Sequence, residues 1–83
     1  RRTLVRDIRR VNDVRLGHGF LDFDVDTDAG RRSFTMRWTQ GQATDFGPDG
    51  KLLIDTEENR WVVRRVDDLP RADRERFLQY VYW

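Results

Sequence analysis

Residues 21–38 read LDFDVDTDAGRRSFTMRW. Leu21, Phe23 and Val25 alternate with Asp22, Asp24 and Asp26. Beyond Ala29-Gly30, Phe34, Met36 and Trp38 alternate with Ser33, Thr35 and Arg37. A period of two belongs to a strand with one face buried, and Asp28-Ala29-Gly30 between two such runs reads as a hairpin turn. A two-residue turn at Ala29-Gly30 opposes Val25 to Phe34, Phe23 to Met36 and Leu21 to Trp38. On the other face it opposes Asp22 to Arg37 and Asp28 to Arg31. A slip of one residue would turn the whole apolar set to water, so the register is expected to be well specified.

The flanking segments extend the same sheet. Val14 and Leu16 are expected to face Phe23 and Leu21 across a loop at residues 17–20. Upstream, Val5, Ile8 and Val11 are three apart rather than two, which calls for a bulged or bent strand, with a short helix as the alternative. Downstream, Gly47-Pro48-Asp49-Gly50 reads as a tight turn between a weak strand near 43–46 and a strand over 51–56. A turn near Glu58-Asn59 then returns through 61–66, pairing Ile54 with Val63 and Thr56 with Trp61. The tail changes period. Pro70 marks a helix start, with Asp67 and Asp68 as capping candidates. Phe77, Leu78 and Val81 follow at helical spacing and are expected on the sheet, with Arg71, Glu75 and Gln79 facing water. The expected fold class is α+β, mainly β: an antiparallel meander of about five strands with one C-terminal helix.

The 83 residues allow one small β-rich domain, residues 1–83. The chain opens at Arg1 without Met, which suggests a fragment of a larger domain or protein. Sixteen basic and 15 acidic residues give a formal net charge of +1, too balanced for a purely electrostatic nucleic-acid coat. With no cysteine, disulfide scaffolds, cysteine zinc sites and cysteine nucleophiles are excluded, and a cytoplasmic location is expected. No apolar run is long enough to span a membrane, and direct membrane insertion is not expected.

The sequence also bears on chemistry. Asp24, Asp26 and Asp28 resemble the start of a calcium loop, but the sixth position is Ala29 instead of Gly and the twelfth is Thr35 instead of Glu. Same-face neighbours on a strand lie roughly 6.6 Å apart, too far for adjacent carboxylates to share one ion. A solvated acidic face is the expectation, with no metal and no cofactor. His18, the only histidine, sits between two glycines, and Ser33, the only serine, points to a polar strand face. Neither has the context of a catalytic site. The isolated Gly17-His18-Gly19 lacks the third glycine and the helix of a dinucleotide loop. No catalytic residue is expected and the chain is read as not an enzyme. Arg9, Arg10, Arg31, Arg32, Arg64 and Arg65 occur as adjacent pairs, which on strands point to opposite faces. They are candidate contacts for an anion or a nucleic acid, with salt-bridged faces as the plainer alternative. Tyr80, Tyr82 and Trp83 exceed what one amphipathic stripe needs and are candidates for a protein interface, with a second copy or a parent protein.

The stretches LVRDIRRV (4–11), FDVDTDAGRRSFTMRW (23–38), DGKLLIDTEENRWVVRRVDDL (49–69) and RADRERFLQYVYW (71–83) together resemble a bacterial domain of unknown function, number 1854 among such families. The likeness covers nearly the whole chain and corresponds to the C-terminal part of the family domain. Members of that family occur as small stand-alone proteins, some associated with cyanophycin metabolism, and as C-terminal extensions of ATP-binding cassette (ABC) transporter proteins. The resemblance implies a non-enzymatic accessory domain that binds a ligand or a partner, the partner being a parent or neighbouring protein such as a transporter ATPase. It implies no reaction. Nucleic-acid or polyanion binding through the Arg residues is the first alternative, and a purely structural interaction module the second.

Overall fold

The computed structural model describes residues 4–83. Among these, six strands form one sheet: β1 (Val5–Gly17), β2 (Phe20–Thr27), β3 (Gly30–Arg37), β4 (Ala43–Phe46), β5 (Gly50–Ile54) and β6 (Arg60–Val63). One helix, α1 (Arg71–Leu78), follows. The spatial order is β3-β2-β1-β6-β5-β4. All neighbours are antiparallel except β1 and β6, which run parallel. The mainly β class with a C-terminal helix therefore holds, while the five-stranded antiparallel meander becomes a mixed six-stranded sheet. The difference comes from β1. It is 13 residues long, so Val5, Arg6 and Asp7 pair with Arg60, Trp61 and Val62, while Ile8 onward pairs with β2.

The three-residue spacing upstream has the expected cause. The β1–β2 register shifts between Ile8 and Arg10 and again between Val11 and Asp13. Each shift adds one residue to β1, so Ile8, Val11 and Val14 meet Thr27, Val25 and Phe23, which are two apart. All six are buried. The β1–β2 turn at His18-Gly19 has positive φ at both residues, 53° and 79°, as the tightest hairpin turn requires. Val14–Phe23 and Leu16–Leu21 pair as expected.

The β2–β3 hairpin keeps the expected faces but not the expected partners. Phe23 opposes Phe34, Leu21 opposes Met36, and Val25 opposes Arg32. On the polar side Asp22 opposes Thr35 and Asp26 opposes Arg31. The turn is Asp28-Ala29, closed by the Thr27–Gly30 pair, with Gly30 at φ 97°. Thr27 Oγ1 donates to the Gly30 carbonyl and accepts from the Ala29 amide, which fixes the turn one residue early and moves the register by two. An even shift leaves Leu21, Phe23, Val25, Phe34 and Met36 on the buried face. Trp38 falls beyond the end of β3.

The β5–β6 register differs by an odd number. Leu53 opposes Trp61 and Ile54 opposes Arg60, so neither Ile54–Val63 nor Thr56–Trp61 is a pair. Asp55 is the reason. Its Oδ1 accepts the amides of Glu57 and Asn59 at 2.8 and 2.9 Å. The strand therefore ends at Ile54, and residues 55–59 form a wide loop instead of a two-residue turn.

Sheet order also dictates curvature. The edge strands β3 and β4 are consecutive in sequence, joined by residues 38–42. Five inter-strand gaps of a flat sheet span roughly 24 Å. The connection reaches only about 18 Å once Gln40–Gln42 coil as a 3₁₀ turn. The sheet must curl so that its two ends approach. Phe34 of β3 then stacks on Trp61 of β6, with ring centroids 4.3 Å apart, and Phe23 stacks on Phe34 at 4.8 Å. Helix α1 closes the curled face. Phe77 and Val81 are fully buried, and Asp73 shares their stripe. Leu78 lies one step round the helix from that stripe and is 38% exposed, contrary to expectation. Asp67 and Asp68 do not cap α1 by a side-chain hydrogen bond. They lie in a 3₁₀ turn, Val66–Asp68, upstream of Pro70. No helix among the described residues is long and apolar enough to cross a membrane.

Two substitutions probe this arrangement by denaturant unfolding. Phe23→Ala is expected to cost about 3–5 kcal/mol, the range for a large aromatic lost from a core. A loss below about 1 kcal/mol, typical of surface positions, would contradict the buried face. Gly50→Ala is expected to cost about 1–3 kcal/mol by overpacking. A Cβ there would lie 2.6 Å from the Arg64 carbonyl oxygen and 2.7 Å from that of Phe46, with the Val63 carbonyl also in contact.

Candidate functional site

A cleft of about 510 Å³ opens where the edge of β3 meets the Asp55–Asn59 loop. Stacked Phe34 and Trp61 contribute its apolar part. Asp22, Arg32, Asp55 and Glu57 bring charge to its wall, and Leu4 contributes at one side. The loop wall is braced from within. Buried Asp55 takes the Trp61 indole N–H on Oδ2 at 2.9 Å while Oδ1 holds the loop amides. The Thr56 amide donates to the Thr35 carbonyl at 2.9 Å and ties the loop to the β3 edge. A volume of this size, with an aromatic floor and a polar wall, has the dimensions of a ligand or peptide site.

The six arginines do not form one surface. Arg9, Arg64 and Arg65 converge on a second cleft of about 330 Å³ together with Asp7 and Asp68. There Arg64 pairs with Asp7 at 3.1 Å, and Arg65 with Asp68 at 3.4 Å and Asp49 at 3.8 Å. Arg9 makes no ion pair among the described residues. Arg64 also lies over the Phe46 ring, 5.7 Å from its centroid. Arg31 forms a two-bond pair with Asp24, which holds the Asp24 carboxyl below its ordinary range. Arg32 donates to the Arg31 carbonyl and lines the larger cleft. Arg10 belongs to the helix contact described below.

The acidic row is bound internally. Asn12 donates to Asp24 and Asp26, Thr35 Oγ1 donates to Asp22, and the Asp7 amide donates to Asp28. Among the described residues no group of three or more His, Asp or Glu could hold a metal ion. His18 lies in the exposed β1–β2 turn, near the Phe20–Arg37 pair. Ser33 is four residues along β3 from that pair, roughly 13 Å of strand.

The C-terminal aromatics divide. The Trp38 indole donates to the Tyr80 carbonyl at 2.9 Å and its ring meets Tyr80 edge-on at 6.0 Å. The Trp83 indole donates to the Ala43 carbonyl at 2.8 Å, and Lys51 Nζ donates to the Trp83 carbonyl. Tyr80 and Trp83 are therefore folded back onto the core, while Tyr82 stays 66% exposed.

Sequence reasoning missed Asp55 and Asp73. For Asp55 a signal existed: an Asp at a strand end, followed by Thr56, Glu57, Glu58 and Asn59, is a side-chain-built turn. For Asp73 there was none, because its partners, the Val11 amide and the Arg10 side chain, lie 62 and 63 residues away in the chain. Asp73 Oδ2 accepts the amide of Val11, between the two β1 bulges, at 2.9 Å, and Arg10 Nε at 2.9 Å. Arg76 donates to the Val11 carbonyl at 2.7 Å. The Arg10 hydrogen bond holds the Asp73 carboxyl below the usual carboxylate range against the opposing effect of burial, with help from the Val11 amide and Arg76.

The family model described as "Domain of unknown function (DUF1854)" matches residues 1–80, so the chain belongs to that family. No curated protein and no solved structure matches it.

A depressed carboxylate stabilises the fold above its unfolded pKa of about 3.9, and that contribution is lost as pH falls through the lower folded value. Asp73→Asn is therefore expected to lose about 1–3 kcal/mol at pH 7, as for a buried charged hydrogen-bond partner removed. The gap to the unsubstituted protein should narrow at pH 3 or below in urea unfolding. An equal gap at both pH values would mean that the charge on Asp73 is not what matters.

Proposed function

We propose that this DUF1854 domain is a non-enzymatic accessory domain that binds a segment of a parent or neighbouring protein in the cleft between β3 and the Asp55–Asn59 loop. The observation that carries this reading is the stacked Phe34–Trp61 pair at an open, polar-rimmed cleft. Both rings are buried in the core and give the cleft a rigid backing, while Arg32, Ser33, Thr56 and Glu57 form its exposed wall. A preorganised frame lowers the entropic cost of recognition. The separation of His18 from Ser33 along the hairpin favours binding over catalysis. Following the family resemblance, we place the domain in the cytoplasm, beside or fused to an ABC transporter ATPase or serving a cyanophycin-metabolism system.

A second reading has its own observation. Arg9, Arg64 and Arg65 line one cleft, a geometry suited to a polyanion. The internal pairing of Arg64 and Arg65 with Asp7 and Asp68 weighs against it. A single-stranded oligonucleotide titrated at two salt concentrations tests it, since phosphate contacts must weaken steeply with salt.

The leading reading is tested by calorimetric titration of the domain against the ATPase subunit of its transporter, using Asp22→Arg and Thr56→Arg at the exposed rim. Each substitution is expected to weaken binding about tenfold, roughly the loss of one good polar contact, with no change in Tm. Unchanged affinity in both variants would remove the cleft from the interaction.

A further inference from the structure

We infer that the β3 cleft is a strand-addition groove, which takes an extended, basic segment of a partner protein as a further strand beside β3. This rests on the reading of the cleft as a binding site and specifies its occupant.

The backbone argument starts from parity. In an antiparallel ladder the N–H and C=O of one residue point to the same side, and the side alternates along the strand. The Thr35 carbonyl takes the Thr56 amide, away from β2. Ser33 has the same parity, so its N–H and C=O also point away from β2, at the edge of the sheet. Trp38, of opposite parity, donates its amide back to Gly19, as this assignment demands. The Arg31 carbonyl, also outward, is covered by the Arg32 guanidinium. The Ser33 backbone groups have no such cover: Ser33 is exposed and lines the cleft. An uncovered edge donor and acceptor inside a cleft form a template for one more strand.

The surroundings select the occupant. The Asp55–Asn59 loop is bonded to Thr35 and stands beside the edge. The cleft of about 510 Å³ beside it matches a short extended segment and not a second folded domain. Between the covered Arg31 carbonyl and the Thr35 carbonyl taken by Thr56, the open edge is the stretch 32–34 around Ser33, roughly 7 Å of strand. Along an added strand, alternate side chains would face the Phe34–Trp61 rings and the outer rim near Asp22. Asp55 is buried and bonded to its own loop and to Trp61, so the exposed charge of the lining is that of Asp22 and Glu57 against Arg32. Charge complementarity therefore asks for Lys or Arg at the rim positions and an apolar residue between them.

The test uses the 83-residue chain and three synthetic peptides: alternating Lys-Val-Lys-Val-Lys, its Glu counterpart, and a Lys-Pro-Lys-Val-Lys version with one amide removed. Hydrogen exchange at the Ser33 amide and peptide affinity are read together. The expected result is binding of the first peptide, about tenfold slower exchange at Ser33, and at least about tenfold weaker binding of the other two. Ser33→Pro, which removes the edge donor at a position where an edge strand tolerates proline, should abolish the preference for the first peptide while leaving Tm within a few degrees. Binding without protection of Ser33, equal affinity for the proline peptide, or no binding of any peptide would each overturn strand addition. So would concentration-dependent protection of Ser33 without peptide, which would assign the edge to a second copy of the chain. Failure here, with rim variants still impairing capture of the ATPase subunit, would leave the cleft as a binding site of another kind. Intact capture by those variants would instead dismiss the cleft itself.

Discussion

The fold depends on how one backbone residue is satisfied. Val11 sits between two bulges in β1, opposite Val25 and beyond the three residues that pair with β6, so its N–H and C=O face a side with no neighbouring strand and need other partners. An unpaired buried backbone group costs free energy comparable to a lost hydrogen bond. Helix α1 supplies both partners from one turn, the Asp73 carboxylate for the amide and the Arg76 guanidinium for the carbonyl. Arg10, on the next residue of β1, completes the charge balance of Asp73. The bulges, the helix position and the ion pair are thus one device. The bulges let apolar residues spaced by three face a partner spaced by two, and the helix covers the edge of β1 that β6 leaves open.

From that device the curled sheet follows. Bulges bend a strand and increase its twist, and β1 is the strand that serves both halves of the sheet. Its first three residues lie parallel to β6 and the rest antiparallel to β2. Bending at this joint brings β3 toward β6 and lets Phe23, Phe34 and Trp61 stack in series. The same bend leaves the cleft, because the β3 edge meets a loop where a further strand would have paired. One hydrogen bond, Thr56 to Thr35, crosses that seam. The aromatic tail seals the opposite edge, where the Trp83 indole reaches the Ala43 carbonyl of β4.

Charge in this chain is mostly spent internally. Arg10, Arg31, Arg64 and Arg65 each have an acidic partner. Most of these pairs are solvent-exposed and contribute little stability individually. Their effect is on register and specificity: Arg31 with Asp24 and Arg64 with Asp7 join neighbouring elements. This explains how a sequence with 31 charged residues among 83 can look like a polyanion binder in its six adjacent arginines while four of them are held by acidic partners.

The alternation of residues 21–38 by itself determined which side chains of β2 and β3 are buried, because an error of two in the pairing leaves a period-two pattern unchanged. Where the error was odd, at β5–β6, the pairing failed, since the side chain of Asp55 builds the loop and no apolar pattern reports it. The three-residue spacing of Val5, Ile8 and Val11 pointed to a bulged strand, and a bulge does lie between Ile8 and Val11, whereas Val5 is exposed and pairs with β6. The 73-77-81 stripe was legible only in part, because a buried carboxylate on a helix reads as surface until its backbone partner is known. The parallel β1–β6 pairing, the sheet order, the Phe34–Trp61 stack and the cleft at the β3 edge were decided by the tertiary structure alone. They depend on contacts between residues far apart in the chain, and local periodicity carries no information about which distant strand becomes a neighbour.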